Sequence, residues 1–259
     1  FYMINNFNQK KRIPLSISTF CEAPLGSGLG SSSTIVVSLI KVMADFLSLN
    51  LDKEELAFHA FIIEREFCGL AGGKQDHYAA VFGGINFMEF NCNNRVIINK
   101  LAVNKSVVSQ LESSLLLFST SVSRDSSTII EEQASNINLF KKEKLEAMHS
   151  MKKDAIKLKG TLINGDLEKF VEIFQESWNN KKKTSSLISN KYLDQIFNDA
   201  ISSGALAGKI SGAGGGGIMI FFVPLEKRIA VIKSLNKYSG DTSFCNFYEH
   251  GCKSWIINK

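Results

Sequence analysis

The sequence carries five cysteines (Cys21, Cys68, Cys92, Cys245, Cys252) and no CxxC pair among them. An odd number cannot close completely into disulfides. Most of the five stand beside apolar residues, so buried, reduced thiols in a cytoplasmic protein are expected. The four histidines fall at no ligand-like spacing, which argues against a transition-metal site. No apolar run is long enough to span a bilayer. The phosphate-binding pattern GxxxxGK(S/T) does not occur, and the glycine loop at residues 24–34 misses the dinucleotide spacing GxGxxG. Internal repeats and low-complexity linkers are also missing. The formal charge of +5 is dispersed. Its densest cluster, Lys181-Lys182-Lys183, lacks a neighbouring series of aromatics, which argues against a nucleic-acid stripe. That cluster suits a phosphorylated ligand or a solvated lysine-rich face equally well. Phe1 is no initiator, and residues 1–8 read as neither a signal peptide nor a helix start. Residues belonging ahead of Phe1 are expected to be absent from this chain.

With 44% hydrophobic and 21% charged residues over 259 positions, the chain is globular, with one large core or two modest domains. Residues 13–20 alternate apolar and polar and predict a half-buried strand. A glycine and serine loop follows at residues 24–34. Residues 35–47, apolar on most sides, predict a buried helix. Asp52 with Glu55 three positions on predicts a capping box and a helix running to about Phe67. Residues 75–82 predict a short helix stopped by Gly83-Gly84, and residues 85–90 a strand. Texture changes between Val103 and Glu112, so domains at 1–108 and 109–259 are expected. The second should hold a strand at 115–119, helices to about Ser202, strands at 206–211 and 218–223, a helix at 225–235 and a closing strand at 254–257. Strands and helices without regular βαβ alternation predict an α+β fold.

The strongest chemical signal is Pro24-Leu25-Gly26-Ser27-Gly28-Leu29-Gly30-Ser31-Ser32-Ser33-Thr34, set between a strand and a helix. Alternate glycines let backbone approach a ligand closely. Serines at a helix start offer hydroxyls and N–H groups, and the helix dipole favours an anion there. A flexible turn with a helix cap is the plainer alternative. The next constellation is Ile63-Glu64-Arg65-Glu66, followed by Gly72-Gly73-Lys74-Gln75-Asp76-His77-Tyr78. Carboxylates serve both to bind Mg²⁺ and to orient an attacking hydroxyl. The intervening glycines can fold Glu64 and Asp76 towards one site. Glu64 can also be an exposed helix charge, and Asp76 a helix cap. Glu66 reads as surface, and Trp178 as core.

Residues 24–34 resemble the second signature of the GHMP kinases (galactokinase, homoserine kinase, mevalonate kinase, phosphomevalonate kinase). The family's third signature is matched by Lys209-Ile210-Ser211-Gly212-Ala213-Gly214-Gly215-Gly216-Gly217. The resemblance implies a two-lobed fold with a ribosomal-protein-like N-terminal lobe and a ferredoxin-like C-terminal lobe. It also implies ATP and Mg²⁺ as cofactors. Pro24, Gly26, Gly28, Leu29, Gly30, Ser31, Ser32 and Ser33 would bind the nucleotide. Ser32, or Ser31, with Glu64 would hold Mg²⁺, and Asp76 would be the catalytic base. Lys209, Ser211, Gly212, Ala213, Gly214 and Gly215 would face the substrate. Nothing before Ile13 matches the family's first signature, so poor or absent catalysis is expected of a chain lacking it.

Residues 73–90 closely resemble the kinases that act on D-glycero-D-manno-heptose 7-phosphate at its anomeric hydroxyl. Ser119-Thr120-Ser121-Val122-Ser123-Arg124, Glu131-Glu132-Gln133 and residues 178–183 extend the likeness over nearly the whole chain. Arg124 would grip the sugar's phosphate through its planar fork, or is a surface arginine. The partners implied are ATP and a sugar phosphate, with neither nucleic acid nor membrane; monomer and homodimer both remain open. Two other readings stand beside this one: a fucose or uronic acid kinase, and a nucleotide-binding protein without catalysis.

Overall fold

The computed structural model describes residues 2–7, 13–23, 26–122 and 126–257. It has α+β content in two lobes, as expected. The first element corrects the sequence reading, for residues 2–7 form a helix, α1 (Tyr2–Phe7). Met3 is buried in the first lobe's core with Tyr2 and Phe7 beside it, and Tyr2 Oη lies 2.9 Å from His59 Nδ1. Tertiary packing, not a cap signal, makes so short a helix.

Residues 13–23 contain no strand, against expectation. A strand needs a neighbour for its ladder of hydrogen bonds. Among the described residues of this lobe the two strands pair only with each other. Phe20 is consequently 87% exposed.

Helix α2 (Ser31–Phe46) buries one stripe, Ser33, Val37, Ile40 and Ala44. It is not buried on most sides, since Val42 and Phe46 face out. The capping box at α3 (Lys53–Phe61) is present: Glu55 N–H donates to Asp52 Oδ1 at 2.8 Å, and Asp52 N–H to Glu55 Oε2 at 2.9 Å. This helix does not run on as α-helix to Phe67 but widens into a π-turn at Ile62–Phe67. Helix α4 (Gln75–Phe82) ends at Gly83, where φ is +63°. An antiparallel hairpin follows, β1 (Asn86–Phe90) with β2 (Val96–Lys100). The second of these strands was not foreseen.

The second lobe contains α5 (Lys105–Ser114), β3 (Leu115–Ser119), α6 (Ser126–Asn138), α7 (Lys142–Asn164), α8 (Leu167–Thr184) and α9 (Lys191–Ser202). β4 (Ala207–Ile210), β5 (Ile218–Phe222), α10 (Arg228–Leu235) and β6 (Asp241–Phe244) complete it. Its sheet has the order β4-β5-β3-β6 with every pair antiparallel. That is the ferredoxin-like βαββαβ plan. Alternation along the strands divides the side chains between two faces. Leu116, Phe118, Met219 and Phe221 pack with Trp178 and Leu193 on one face. Leu115, Ala207 and Phe222 pack with Val107 and Leu111 of α5 on the other.

The last segment crosses back to the first lobe. Gly84 N–H donates to Tyr248 O at 2.8 Å, Cys252 N–H to Ala80 O at 2.9 Å, and Ser254 Oγ to Asp45 Oδ2. Residues 254–257 do not form the expected closing strand; that role falls to β6, and Trp255 is 77% exposed. The cysteines also differ from expectation. All five are free, as expected, but they are not buried: Cys21, Cys68 and Cys92 are exposed, and Cys245 and Cys252 are half-buried. Cys68 ends the π-turn, where its apolar neighbour Phe67 is itself exposed, and Cys92 sits between asparagines in the hairpin turn. No helix among the described residues is long and apolar enough to cross a membrane.

Candidate active site

Gly26, Gly28 and Gly30 all have φ between 73° and 75°, a left-handed conformation that glycine adopts without penalty. This winding turns the loop's carbonyls back onto protein. Ser27 O accepts from Ile218 N–H at 2.9 Å, Gly28 O accepts from Ser211 Oγ at 2.9 Å, and Gly30 O accepts from Thr34 N–H at 2.9 Å. Gly30 is the residue before α2. The first-turn N–H groups of Ser31, Ser32 and Ser33 have no intrahelical acceptor, and the helix dipole adds positive potential there. Leu29 and Ser32 are exposed, whereas Ser27 and Ser33 are buried. Pro24 lies outside the described residues.

Glu64 sits on the π-turn, a widening that often marks a working site. It is 1% exposed, so it is not a surface charge. Ser32 Oγ donates to its Oε1 at 2.7 Å and Ser33 Oγ to its Oε2 at 2.6 Å. His77 Nε2 is 2.6 Å and Arg65 Nη2 3.6 Å from Oε2. Burial alone would raise the carboxyl's pKa. The contacts with His77, Ser33 and Ser32 and the charge of Arg65 outweigh burial and lower it to about 2. Glu64 is therefore a fixed anion with Oε1 on the side of exposed Ser32. These two oxygens form a hard donor pair of the kind Mg²⁺ takes. Among the described residues no group of three or more His, Cys, Asp and Glu converges as a metal cage.

Asp76 is the second residue of α4, and Lys74 occupies the cap position, so Asp76 is not the helix cap. It packs against the glycine turn: a Cβ built on Gly30 would lie 3.1 Å from both Cβ and Cγ of Asp76. Burial pushes the Asp76 carboxyl above its ordinary range, against the lowering charges of His77 and Arg65. The two carboxylates thus meet at the head of α2 with opposite shifts, Glu64 locked as an anion and Asp76 readier to hold a proton. Such divergence is the pattern of paired groups with separate tasks.

The second glycine run closes against the first. A Cβ on Gly217 would come 2.6 Å from Ser27 O and 2.7 Å from Gly26 O. Gly217 O accepts from Thr120 N–H and Oγ1, both at 2.9 Å. Gly214 backs onto Ile188, Gly215 N–H donates to Ile188 O at 2.7 Å, and Ala213 packs on the core. Gly212 O accepts from Lys181 Nζ at 2.5 Å, and Ile210 O from the same ammonium at 3.2 Å. Lys181 is therefore no member of a solvated face; it is buried and pins the loop's start.

Lys209 is placed elsewhere. It shares a sheet face with Ala207, opposite Ile220, and its Nζ lies 5.6 Å from the Phe174 ring centroid. Burial pushes its pKa down. Arg124 lies outside the described residues. The sequence reading missed Lys181 and His77, because a lysine run reads as surface and a histidine one residue past Asp76 carries no spacing signal.

The family models for the GHMP kinases N terminal domain and the GHMP kinases C terminal domain match residues 2–84 and 155–240. A D-glycero-alpha-D-manno-heptose 7-phosphate kinase from Campylobacter jejuni is 44% identical over 248 residues, spanning 96% of this chain and 73% of that protein. A crystal structure from the same organism, assigned as a sugar kinase, superposes with a TM-score of 0.79 at 42% identity, covering 99% of this chain and 73% of that one. A D-glycero-D-manno-heptose 1-phosphate kinase from Bacteroides thetaiotaomicron gives 0.74 at 38% identity, over 93% of this chain and 67% of that one. Glycine turns, carboxylate pair and matched domains agree, and the chain belongs to the GHMP kinases.

Proposed function

We propose that this chain is an ATP-dependent kinase of a sugar phosphate, and that it phosphorylates the anomeric hydroxyl of D-glycero-D-manno-heptose 7-phosphate to give the 1,7-bisphosphate. The observation that supports this reading best is the meeting of Glu64, Ser32 and Asp76 at the glycine turn before α2. The first-turn N–H groups of that helix and the side chains of Ser31, Ser32 and Ser33 would hold the phosphates of ATP. Ser32 Oγ and Glu64 Oε1 would hold Mg²⁺, which when bound neutralises charge on the β- and γ-phosphates.

Asp76 would orient the acceptor and take the proton of its hydroxyl. The hydroxyl oxygen bonds to the γ-phosphorus as the bond to the β,γ-bridging oxygen breaks, releasing ADP. Fixing the reactants is the larger part of such catalysis. Ser211, Gly212, Ala213, Gly214 and Gly215 would close over the substrates, and Arg124 would engage the sugar's own phosphate. Lys209 is left out of that set because it sits beside Phe174. ATP and sugar phosphates are both cytoplasmic metabolites, which suits that compartment.

The heptose 7-phosphate kinase, at 44% identity, favours this acceptor, whereas the relative from Bacteroides thetaiotaomicron is named for a 1-phosphate. Phosphorus NMR of the protein with ATP, Mg²⁺ and a panel of acceptors tests the reading. The panel is heptose 7-phosphate, heptose 1-phosphate, fucose and a uronic acid. The expected outcome is an anomeric phosphate formed on the 7-phosphate alone. Faster transfer to another acceptor, or to none, would overturn it.

A further inference from the structure

Arg65 neighbours Glu64 on the π-turn, and its side chain is 13% exposed. Its guanidinium folds back onto its own chain. Nη1 donates to Leu70 O at 3.3 Å and to Ala71 O at 3.2 Å, and Nε donates to Gly73 O at 3.4 Å. Gly72, between these carbonyls, has φ +155°, and a Cβ there would sit 2.5 Å from Cζ, 2.7 Å from Nη2 and 2.9 Å from Nη1. The loop backbone is thus wrapped against the guanidinium, closer than any side chain allows.

This loop has little else to hold it. Residues 66–70 are exposed, and neither Gly69 nor Gly73 has an atom within 4 Å of a built Cβ. Two backbone bonds, Cys68 N–H to Ile63 O at 3.0 Å and Leu70 N–H to Glu64 O at 3.2 Å, tie its start, and Lys74 Nζ donates to Asn94 Oδ1 at 3.0 Å at its end, which leaves residues 71–73 to Arg65. Yet the loop joins Glu64 to Asp76, so its shape sets the separation of the two carboxylates. A flexible stretch with three glycines would let Asp76 wander unless something gathers it.

We propose that Arg65 is the positioning residue of this site, gathering the carbonyls of Leu70, Ala71 and Gly73 so that Asp76 is held at a fixed place relative to Glu64 and the phosphate turn. The inference rests on the kinase reading above and deepens it. Arg65 acts through the loop and, with Nη2 3.6 Å from Glu64 Oε2, on that carboxylate, but not on the reacting atoms; Gly72→Ala, which keeps the guanidinium, isolates the part played by the loop. Lysine cannot substitute, because a point ammonium cannot serve three diverging carbonyls as a planar fork does.

The test compares Arg65→Met, Arg65→Lys and Gly72→Ala with the unaltered protein. Four quantities are measured: melting temperature, ATP affinity without acceptor, kcat on heptose 7-phosphate, and amide exchange of residues 69–76. All three variants should lose about ten- to hundredfold in kcat, the scale of an ångström-sized misplacement. ATP affinity should change by less than about threefold, a difference well under 1 kcal/mol. Exchange should quicken within residues 69–76. Full kcat in Arg65→Lys, unchanged exchange in the loop, or a kcat loss matched by equal losses in ATP affinity and melting temperature would each overturn the proposal. If the unaltered protein transfers phosphate to no sugar phosphate, the kinase reading fails; the exchange measurement then decides separately whether Arg65 holds the loop.

Discussion

Asp76 lies against the α-carbon of Gly30, so close that a methyl group there would be 3.1 Å from its Cβ and Cγ. One glycine therefore both caps α2 and seats the proposed base. Gly30→Ala is strained twice, by φ of +73° and by crowding of the carboxylate. The left-handed conformation alone costs about 1–2 kcal/mol, a fall of several degrees in melting temperature. Turnover should fall by more than about tenfold, because the base is displaced. Calorimetry and steady-state kinetics check this, and unaltered kcat would uncouple the two residues.

Glu64 carries the acid sensitivity of the site. Its carboxyl has a pKa of about 2 in the folded protein, below its ordinary value of 4.5. Protonation in that interval favours the unfolded chain, so its stabilisation is complete above about pH 4.5 and fades as pH falls through about 2. The stability gap between the unaltered protein and Glu64→Gln should narrow over this range in acid unfolding. A gap independent of pH would contradict the assignment.

Ser33→Ala tests the same carboxylate from its buried side. The substitution leaves Oε2 short of a donor that now lies at 2.6 Å. His77 still reaches Oε2 at 2.6 Å, so the loss is that of one hydrogen bond to a charged group, about 1.5–3 kcal/mol. Denaturant unfolding should show that loss, together with a higher Mg²⁺ requirement for turnover. Stability equal to that of the unaltered protein would show that His77 and Arg65 suffice at Oε2.

Gly217→Ala should separate the two glycine turns, since its Cβ would collide with the carbonyls of Gly26 and Ser27. The expected result is ATP affinity weakened by about tenfold, roughly 1.4 kcal/mol, with far-UV circular dichroism unchanged. Unchanged nucleotide titration would mean that the contact between turns does not shape the phosphate site.

Much of this arrangement is legible in the residues themselves. Gly30, Ser32, Glu64 and Asp76 are picked out by residue type and spacing, and the Asp52–Glu55 capping box and helix α4 follow from local chemistry. Other features depend on what lies across space. Residues 13–20 have a strand's alternation but, among the described residues, no neighbour to pair with, and α1 forms because Met3 finds a core. Lys181 looks like one of three surface lysines until the carbonyls of Ile210 and Gly212 are brought to it from 29 and 31 positions away. Lys209 belongs to a matching motif, yet strand alternation turns it to the face of Ala207 and away from the glycine turns.

The direct test of phosphoryl transfer at this site is Asp76→Asn, examined by ATP titration, thermal unfolding and single-turnover transfer to heptose 7-phosphate at pH 7. Burial raises the folded carboxyl's pKa, so holding Asp76 ionised at neutral pH costs stability. The variant should therefore melt no lower than the unaltered protein and bind ATP within about threefold of its affinity, well under 1 kcal/mol of difference. Transfer should slow by about 10²–10⁴, the usual worth of a positioned base. Transfer at the unaltered rate, with ATP still bound, would contradict the account.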